Sequence, residues 1–177
     1  KWTYLNQALN PIGIYGKWTL RFKDGGPVIP SNKRLKQLVS WTGLADSTAK
    51  SFSGTGEYSI TFKMPDIKAD EFELDLGKVH ESARVWVNGH DAGILWSIPF
   101  KARIGQYLIP GKKNNIRIEV ANLMANRIRY MDRKGIQWRN YNEINFVNIN
   151  YKNFDASNWP LQPSGLIGPV TITPLKK

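Results

Sequence analysis

Cysteine is absent from the sequence, which excludes disulfide scaffolds, thiol nucleophiles and thiolate-bound zinc together. Histidine is nearly absent too. His80 and His90 are the only two, no acidic pattern beside them spaces metal ligands, and both read as turn or loop residues. A Ser-His-Asp triad would need one of them, and there is no Gly-x-Ser-x-Gly elbow to carry its nucleophile. Gly54-Thr55-Gly56 lacks the third glycine of a dinucleotide-binding turn and precedes an alternating, strand-like run. No phosphate loop ends in Gly-Lys-Ser or Gly-Lys-Thr. No apolar run approaches the length of a membrane span and no basic-then-apolar leader opens the chain. A first residue Lys1 implies a processed chain or a piece of a longer one.

Acidic residues are scarce as well, 14 against 25 Lys and Arg, for a net charge of +11. Glu71, Glu73 and Asp75 form the densest row, with neighbours roughly 6–7 Å apart on the strand rise, near the separation of glycosidase carboxylate pairs. The row is the outer face of an amphipathic strand, and nothing in the pattern would raise an acid's pKa there. No catalytic residue is assigned.

What is present is ordinary globular composition, 41% hydrophobic and 22% charged over 177 residues, enough to bury a core without staples. The dominant period is two. Trp18-Leu20-Phe22, Tyr58-Ile60-Phe62-Met64, Phe72-Leu74-Leu76 and Ile116-Ile118-Val120 each alternate with polar or charged residues, as half-buried antiparallel strands require. In Ser82 to Val87 the outer row carries Trp86, so both faces of that strand are expected to be covered. Asp24-Gly25-Gly26-Pro27, Asn88-Gly89 and Pro110-Gly111 punctuate the runs, and Asn88-Gly89 is the strongest hairpin signal. Helical spacing is confined to Lys33–Val39, where Leu35, Leu38 and Val39 share a face for two turns at most. Between Phe146 and Val147 the apolar phase slips by one, which a β-bulge would absorb. The pattern predicts an all-β protein, an antiparallel β-sandwich with at most one or two short helices, as one domain over residues 1–177.

From Leu76-Gly77-Lys78-Val79-His80-Glu81 through Val85-Trp86-Val87-Asn88-Gly89, Gly93-Ile94-Leu95-Trp96 and Pro99-Phe100, the chain resembles the sugar-binding β-sandwich of family 2 glycoside hydrolases. Pro110-Gly111, Asn114, Asn115 and the strand Ile116 to Val120 continue the match. Leu38-Val39-Ser40-Trp41-Thr42, Phe52-Ser53-Gly54-Thr55-Gly56-Glu57-Tyr58, Asn122-Leu123-Met124-Ala125-Asn126-Arg127 and Ser164-Gly165-Leu166-Ile167-Gly168-Pro169-Val170 look like the C-terminal domain of family 106 glycoside hydrolases, the α-L-rhamnosidases. Met124 stands where that pattern has Trp, and Arg129-Tyr130-Met131-Asp132 interrupts a shorter Ile-Gly-Asp, in what reads as a loop after Asn126. The resemblance implies a galactose-binding-like jelly roll, fused in its parent to a catalytic barrel that holds the acid and base carboxylates, and exported to the periplasm, the cell surface or the medium. It also admits a structural calcium ion, for which Asp66 and Asp70 are the candidates.

A sugar offers an apolar CH face and a rim of hydroxyls, so its site needs a flat aromatic and side chains that donate and accept hydrogen bonds. Trp96, Trp138 and Trp159 stand at strand ends or in irregular segments, unlike Trp18 and Trp86. Asn122, Asn126 and Arg127 follow the strand Ile116 to Val120 and are placed at one end of the sandwich. These six are the carbohydrate-binding candidates. Two rival readings remain. One is a domain that only packs on the barrel and exposes an apolar patch when alone. The other is a single-strand nucleic-acid binder, in which Arg127, Arg129, Arg133, Lys134 and Arg139 interleave with Tyr130 and Trp138; no recognition motif accompanies it, and solvated basic surface is the commoner origin of such charge.

Overall fold

The computed structural model describes residues 4–139, 149 and 152–177. In chain order its strands are β1 (Asn6–Gln7), β2 (Ile12–Gly13), β3 (Trp18–Gly26), β4 (Lys33–Leu35), β5 (Ser53–Lys63), β6 (Glu71–Asp75), β7 (Lys78–His80), β8 (Ser82–Val87), β9 (His90–Leu95), β10 (Lys101–Arg103), β11 (Lys113–Ala121), β12 (Gly165–Gly168) and β13 (Thr171–Lys176). Two short helices join them, α1 (Ser47–Lys50) and α2 (Ala125–Arg133), with a single 3-10 turn at Trp41–Gly43.

The strands form an antiparallel β-sandwich. One sheet runs β4-β3-β5-β11-β8-β9, the other β1-β13-β6-β10 with β2 also on β13, and β12 and β7 make a small third ladder. The period-two rows meet between them. Leu20, Tyr58, Ile116, Ile118, Val120, Val85 and Val87 from the larger sheet join Phe72, Leu74 and Ile172 from the smaller in one buried cluster. Each fully buried side chain of this size contributes about 1.5–3 kcal/mol. One polar knot crosses that core: the Tyr58 hydroxyl accepts from Trp41 Nε1 at 2.6 Å and from the backbone N–H of Leu166 at 3.0 Å. Burial pushes the Tyr58 phenol well above its ordinary pKa, so it stays neutral.

The Asn88-Gly89 turn is as the sequence predicts. Both residues take positive φ, 51° and 85°, the requirement of a two-residue hairpin loop, and join β8 to β9. Trp86 is also covered on its outer side, where the Arg117 guanidinium lies 3.6 Å from its ring centroid. Arg117 in turn reaches Glu57 and Glu119, which face each other across β5 and β11.

Two expectations are corrected. Lys33–Val39 is not helical: Lys33–Leu35 is β4, with Leu35 opposite Trp18 and buried. Two helical turns cannot compete with a ladder that satisfies the same backbone groups and buries the same leucine. The segment after Asn126 is not a loop but α2. Ala125, Ile128 and Met131 recur at helical spacing, and Gly135 at φ 64° ends the helix. Ile136 N–H bonds the Met131 carbonyl and Gly135 N–H that of Asp132, a Schellman stop. The bulge expected between Phe146 and Val147 lies outside the described residues. No helix among the described residues is long and apolar enough to cross a membrane.

Candidate functional site

The end of β11 delivers the chain to α2, and α2 carries Asp132 in its last turn. A helix C-terminus disfavours an anion, so this carboxylate has to be held by donors, and it is. Asp132 Oδ1 accepts from Trp138 Nε1 at 2.6 Å and from Arg139 Nη2 at 3.2 Å, and Oδ2 accepts from the Ala156 N–H at 2.7 Å. The side chain is 7% exposed. Arg139 also bonds the Phe154 carbonyl and lies over both the Trp138 and Phe154 rings. Phe154 meets Trp138 edge-on at 6.1 Å and Trp159 at 5.5 Å. Arg129 Nε fixes the Trp159 carbonyl at 2.5 Å.

These groups surround an open cavity of about 280 Å³, lined by Asp132, Gln137, Trp138, Arg139, Phe154 and Asp155 among others. Trp138 spends its N–H on Asp132, which fixes the indole plane, and Arg139 and Phe154 pack against the ring. The Ser157 N–H and hydroxyl bond the Asp155 carboxylate and hold it below the ordinary range, so it stands as an ionised acceptor at neutral pH. Arg127 Nη1 and Arg139 Nε are buried with no hydrogen-bond partner among the described residues.

The six sequence candidates separate here. Trp138 lines the cavity, and Trp159, 38% exposed, is joined to it through Phe154. Arg127 lies on the same helix, over the Tyr130 ring. Asn126 is 3% exposed and spends its whole amide internally, accepting from Gln162 N–H and donating to the Gln162 carbonyl and Ser164 Oγ. Asn122 does likewise with Gly54 N–H, the Phe52 carbonyl and Ser164 Oγ. Both asparagines anchor the platform that carries α2, with no amide group left over. Trp96 stands apart on the β9 edge: Leu95 pairs with Ala83, and Ser82 with Ala121. It is thus level with the end of β11 but two strands away, roughly 10 Å, and is 77% exposed.

Sequence reasoning missed Asp132 and Phe154 as site residues. The helical stripe ending at Gly135 was the available signal for Asp132; Phe154 carried none.

The remaining expectations place as follows. His80 and His90 are strand residues, ending β7 and opening β9, and His90 stacks on Tyr107 at 5.2 Å. Among the described residues no group of three or more His, Asp or Glu could hold a metal ion; Asp70 accepts from the backbone N–H of Lys177. Glu73 pairs with Lys101, and Glu71 accepts from the backbone N–H groups of Phe72 and Gly105.

No protein-family model matches the chain. Among curated proteins, a candidate β-glucuronidase of Formosa agariphila is 30% identical over 194 aligned positions, which cover 98% of this chain and 16% of that protein. Among solved structures, the rhamnosidase from Novosphingobium sp. PP1Y superposes with a TM-score of 0.70 at 30% identity, over 98% of this chain and 15% of the enzyme. A β-D-glucuronidase from Dictyoglomus thermophilum shares the fold, with a TM-score of 0.62 at 18% identity. The chain is a sandwich related to one segment of glycoside hydrolases. It spans about one-sixth of the first two relatives' length.

Proposed function

We propose that this chain is a non-catalytic accessory domain of a larger, exported glycoside hydrolase of the family 106 α-L-rhamnosidase type. In this reading it is a single galactose-binding-like unit at the C-terminal side of a catalytic barrel, and it contributes a weak carbohydrate-binding or pocket-completing surface. The observation that carries the proposal is the Trp138 cavity. It combines an indole ring fixed by Asp132 with an ionised Asp155 acceptor and the amide of Gln137 at an open mouth, the mixture of apolar platform and polar rim that a sugar ring needs. Trp159 extends the same surface through Phe154, and Arg127 lies on the helix that carries Asp132. Separate acid and base carboxylates on the barrel would do the chemistry, because the carboxylates of the larger sheet's outer face here are locked to cations.

Titration of the chain with L-rhamnose and rhamnose-terminated oligosaccharides, followed by tryptophan fluorescence, tests this. A saturable change at millimolar sugar that disappears in Trp138→Ala is expected. No change, together with full activity of the longer enzyme carrying Trp138→Ala, overturns it.

A structural reading has its own observation. Ile94, Trp96 and Ile98 are 60%, 77% and 85% exposed along one edge, an apolar strip suited to packing against the barrel. The two roles are compatible, since Ile94, Trp96 and Ile98 do not line the Trp138 cavity. The nucleic-acid reading draws on fewer free cations than the sequence offered, since Arg129 bonds the Trp159 carbonyl and Arg139 bonds Asp132, while Arg133 and Lys134 stay exposed.

A further inference from the structure

A second cavity, of about 390 Å³, lies where the β2–β3 connection crosses the segment joining β12 to β13. Its floor is apolar, formed by Ile14, Trp18 and Val170, all at least 96% buried. Its mouth is not. Tyr15, Lys36, Gln37 and Lys78 line it and are exposed. Neither lysine forms an ion pair among the described residues, although seven other Lys and Arg side chains of the sandwich do.

Tyr15 is 82% exposed, and the hydroxyl end of its ring lies beside Gly13. A Cβ on Gly13 would come within 2.3–2.5 Å of Tyr15 Cε2, Cζ and the hydroxyl oxygen, so the hydroxyl edge of the ring sits over the glycine. Gly13 has no positive φ that would call for glycine; what it supplies is room for that ring. An exposed aromatic ring at a cavity mouth offers a face for stacking.

We infer that this cavity is a second carbohydrate site, distinct from the Trp138 surface, and that it takes an acidic sugar, a hexuronate residue. The Tyr15 face receives the CH face of the ring. The Lys36 and Lys78 ammonium groups pair with the carboxylate, as charge-assisted hydrogen bonds. Gln37 and the Tyr15 hydroxyl remain for ring hydroxyls. A planar aromatic acid would satisfy the cations and the ring but leave Gln37 unused, which favours the sugar. The net charge of +11 raises the local concentration of any polyanionic glycan.

The test is NMR titration of the 177-residue chain with methyl β-D-glucuronide, methyl β-D-glucoside and benzoate, at low salt and at about 0.5 M NaCl. Expected are shifts at Tyr15, Lys36, Lys78 and Gly168 with glucuronide at millimolar concentration, and at least about tenfold weaker binding of the neutral glucoside. Salt and the double variant Lys36→Gln/Lys78→Gln should erase that preference. Tyr15→Ala should weaken both sugars, and Gly13→Ala, which displaces the ring but removes no charge, should do the same. Trp138→Ala should change nothing here, which separates this site from the one proposed above. Equal affinity for glucuronide and glucoside, benzoate binding as tightly as glucuronide, or no shift at these residues overturns the inference.

Discussion

Single polar side chains hold this sandwich together at points where apolar packing cannot. Tyr58 is the clearest. Its hydroxyl is the acceptor for two buried donors, Trp41 Nε1 and Leu166 N–H, and Gly165 beside it has no room for a Cβ, which would meet Trp41 Nε1 at 2.3 Å. Tyr58→Phe keeps the ring but orphans both donors, and each buried donor left unsatisfied costs about 1–3 kcal/mol. Urea unfolding of this variant is expected to show a loss of about 2–4 kcal/mol with an unchanged m-value; a loss below about 0.5 kcal/mol would mean that the knot is slack. Asn114 is a second such point. It is 1% exposed, donates to the Ile109 and Lys112 carbonyls, and accepts from Ile109 N–H and Asn88 Nδ2. Asn88 also donates to the Tyr107 carbonyl and accepts from Asn115 N–H. The asparagines that carry the resemblance to sugar-binding sandwiches are therefore structural clasps between the β8–β9 turn and the start of β11.

At the scale of elements, α2 is the piece that builds the candidate site. It is stopped by Gly135 in the left-handed region, φ 64°, with the two carbonyls before it satisfied by Gly135 and Ile136 N–H. A side chain there costs roughly 1–2 kcal/mol. Gly135→Ala is expected to lower stability by about 1 kcal/mol, seen as a lower Tm. It should also loosen the hold of Asp132 on Trp138, seen as greater acrylamide quenching of the tryptophans; an unchanged Tm and quenching curve would contradict this account of the helix stop. The larger sheet shows the opposite design. Arg21, Glu57, Glu119 and Arg84 form one outward row across four strands. The like-charged Glu57–Glu119 pair in it would repel without Arg21, Lys23 and Arg117 around it.

For the whole molecule, those pairs set a pH window. The Lys33 ammonium and the Thr48 hydroxyl hold Asp46 well below the usual carboxylate range. Burial alone would raise Glu57, but Arg117, Arg21 and Lys23 together bring it below its ordinary value. Arg84 lowers Asp91. These groups are more acidic folded than unfolded, so the unfolded chain binds more protons at low pH, and their contribution is complete above about pH 5 and lost as pH falls below about 4. The hydrogen bonds to Glu119 and Glu73 raise Lys23 and Lys101 respectively. Their contribution is complete below about pH 9.5 and lost as pH rises beyond about 10.5. Thermal unfolding from pH 2.5 to 11.5 is expected to show a plateau between those limits with a fall on both sides; a Tm still rising as pH drops from 5 to 3 would refute the sign.

Much of this protein was legible from its order of residues. Strands β3, β5, β6, β8 and β11 follow from period-two rows, because a half-buried strand can satisfy its two faces only by alternation. The Asn88-Gly89 hairpin follows because few other dipeptides accept two positive φ values. What only the tertiary structure decided is where polar groups spend their hydrogen bonds. Asn122 and Asn126 look like ligand groups in sequence, but Ser164 and Gln162, some 36–42 residues away, consume them. Trp138 and Asp132 become neighbours only because α2 forms and stops at Gly135. Backbone periodicity is a local property and is written locally. Satisfaction of a side chain depends on partners distant in sequence, and folding alone brings those together.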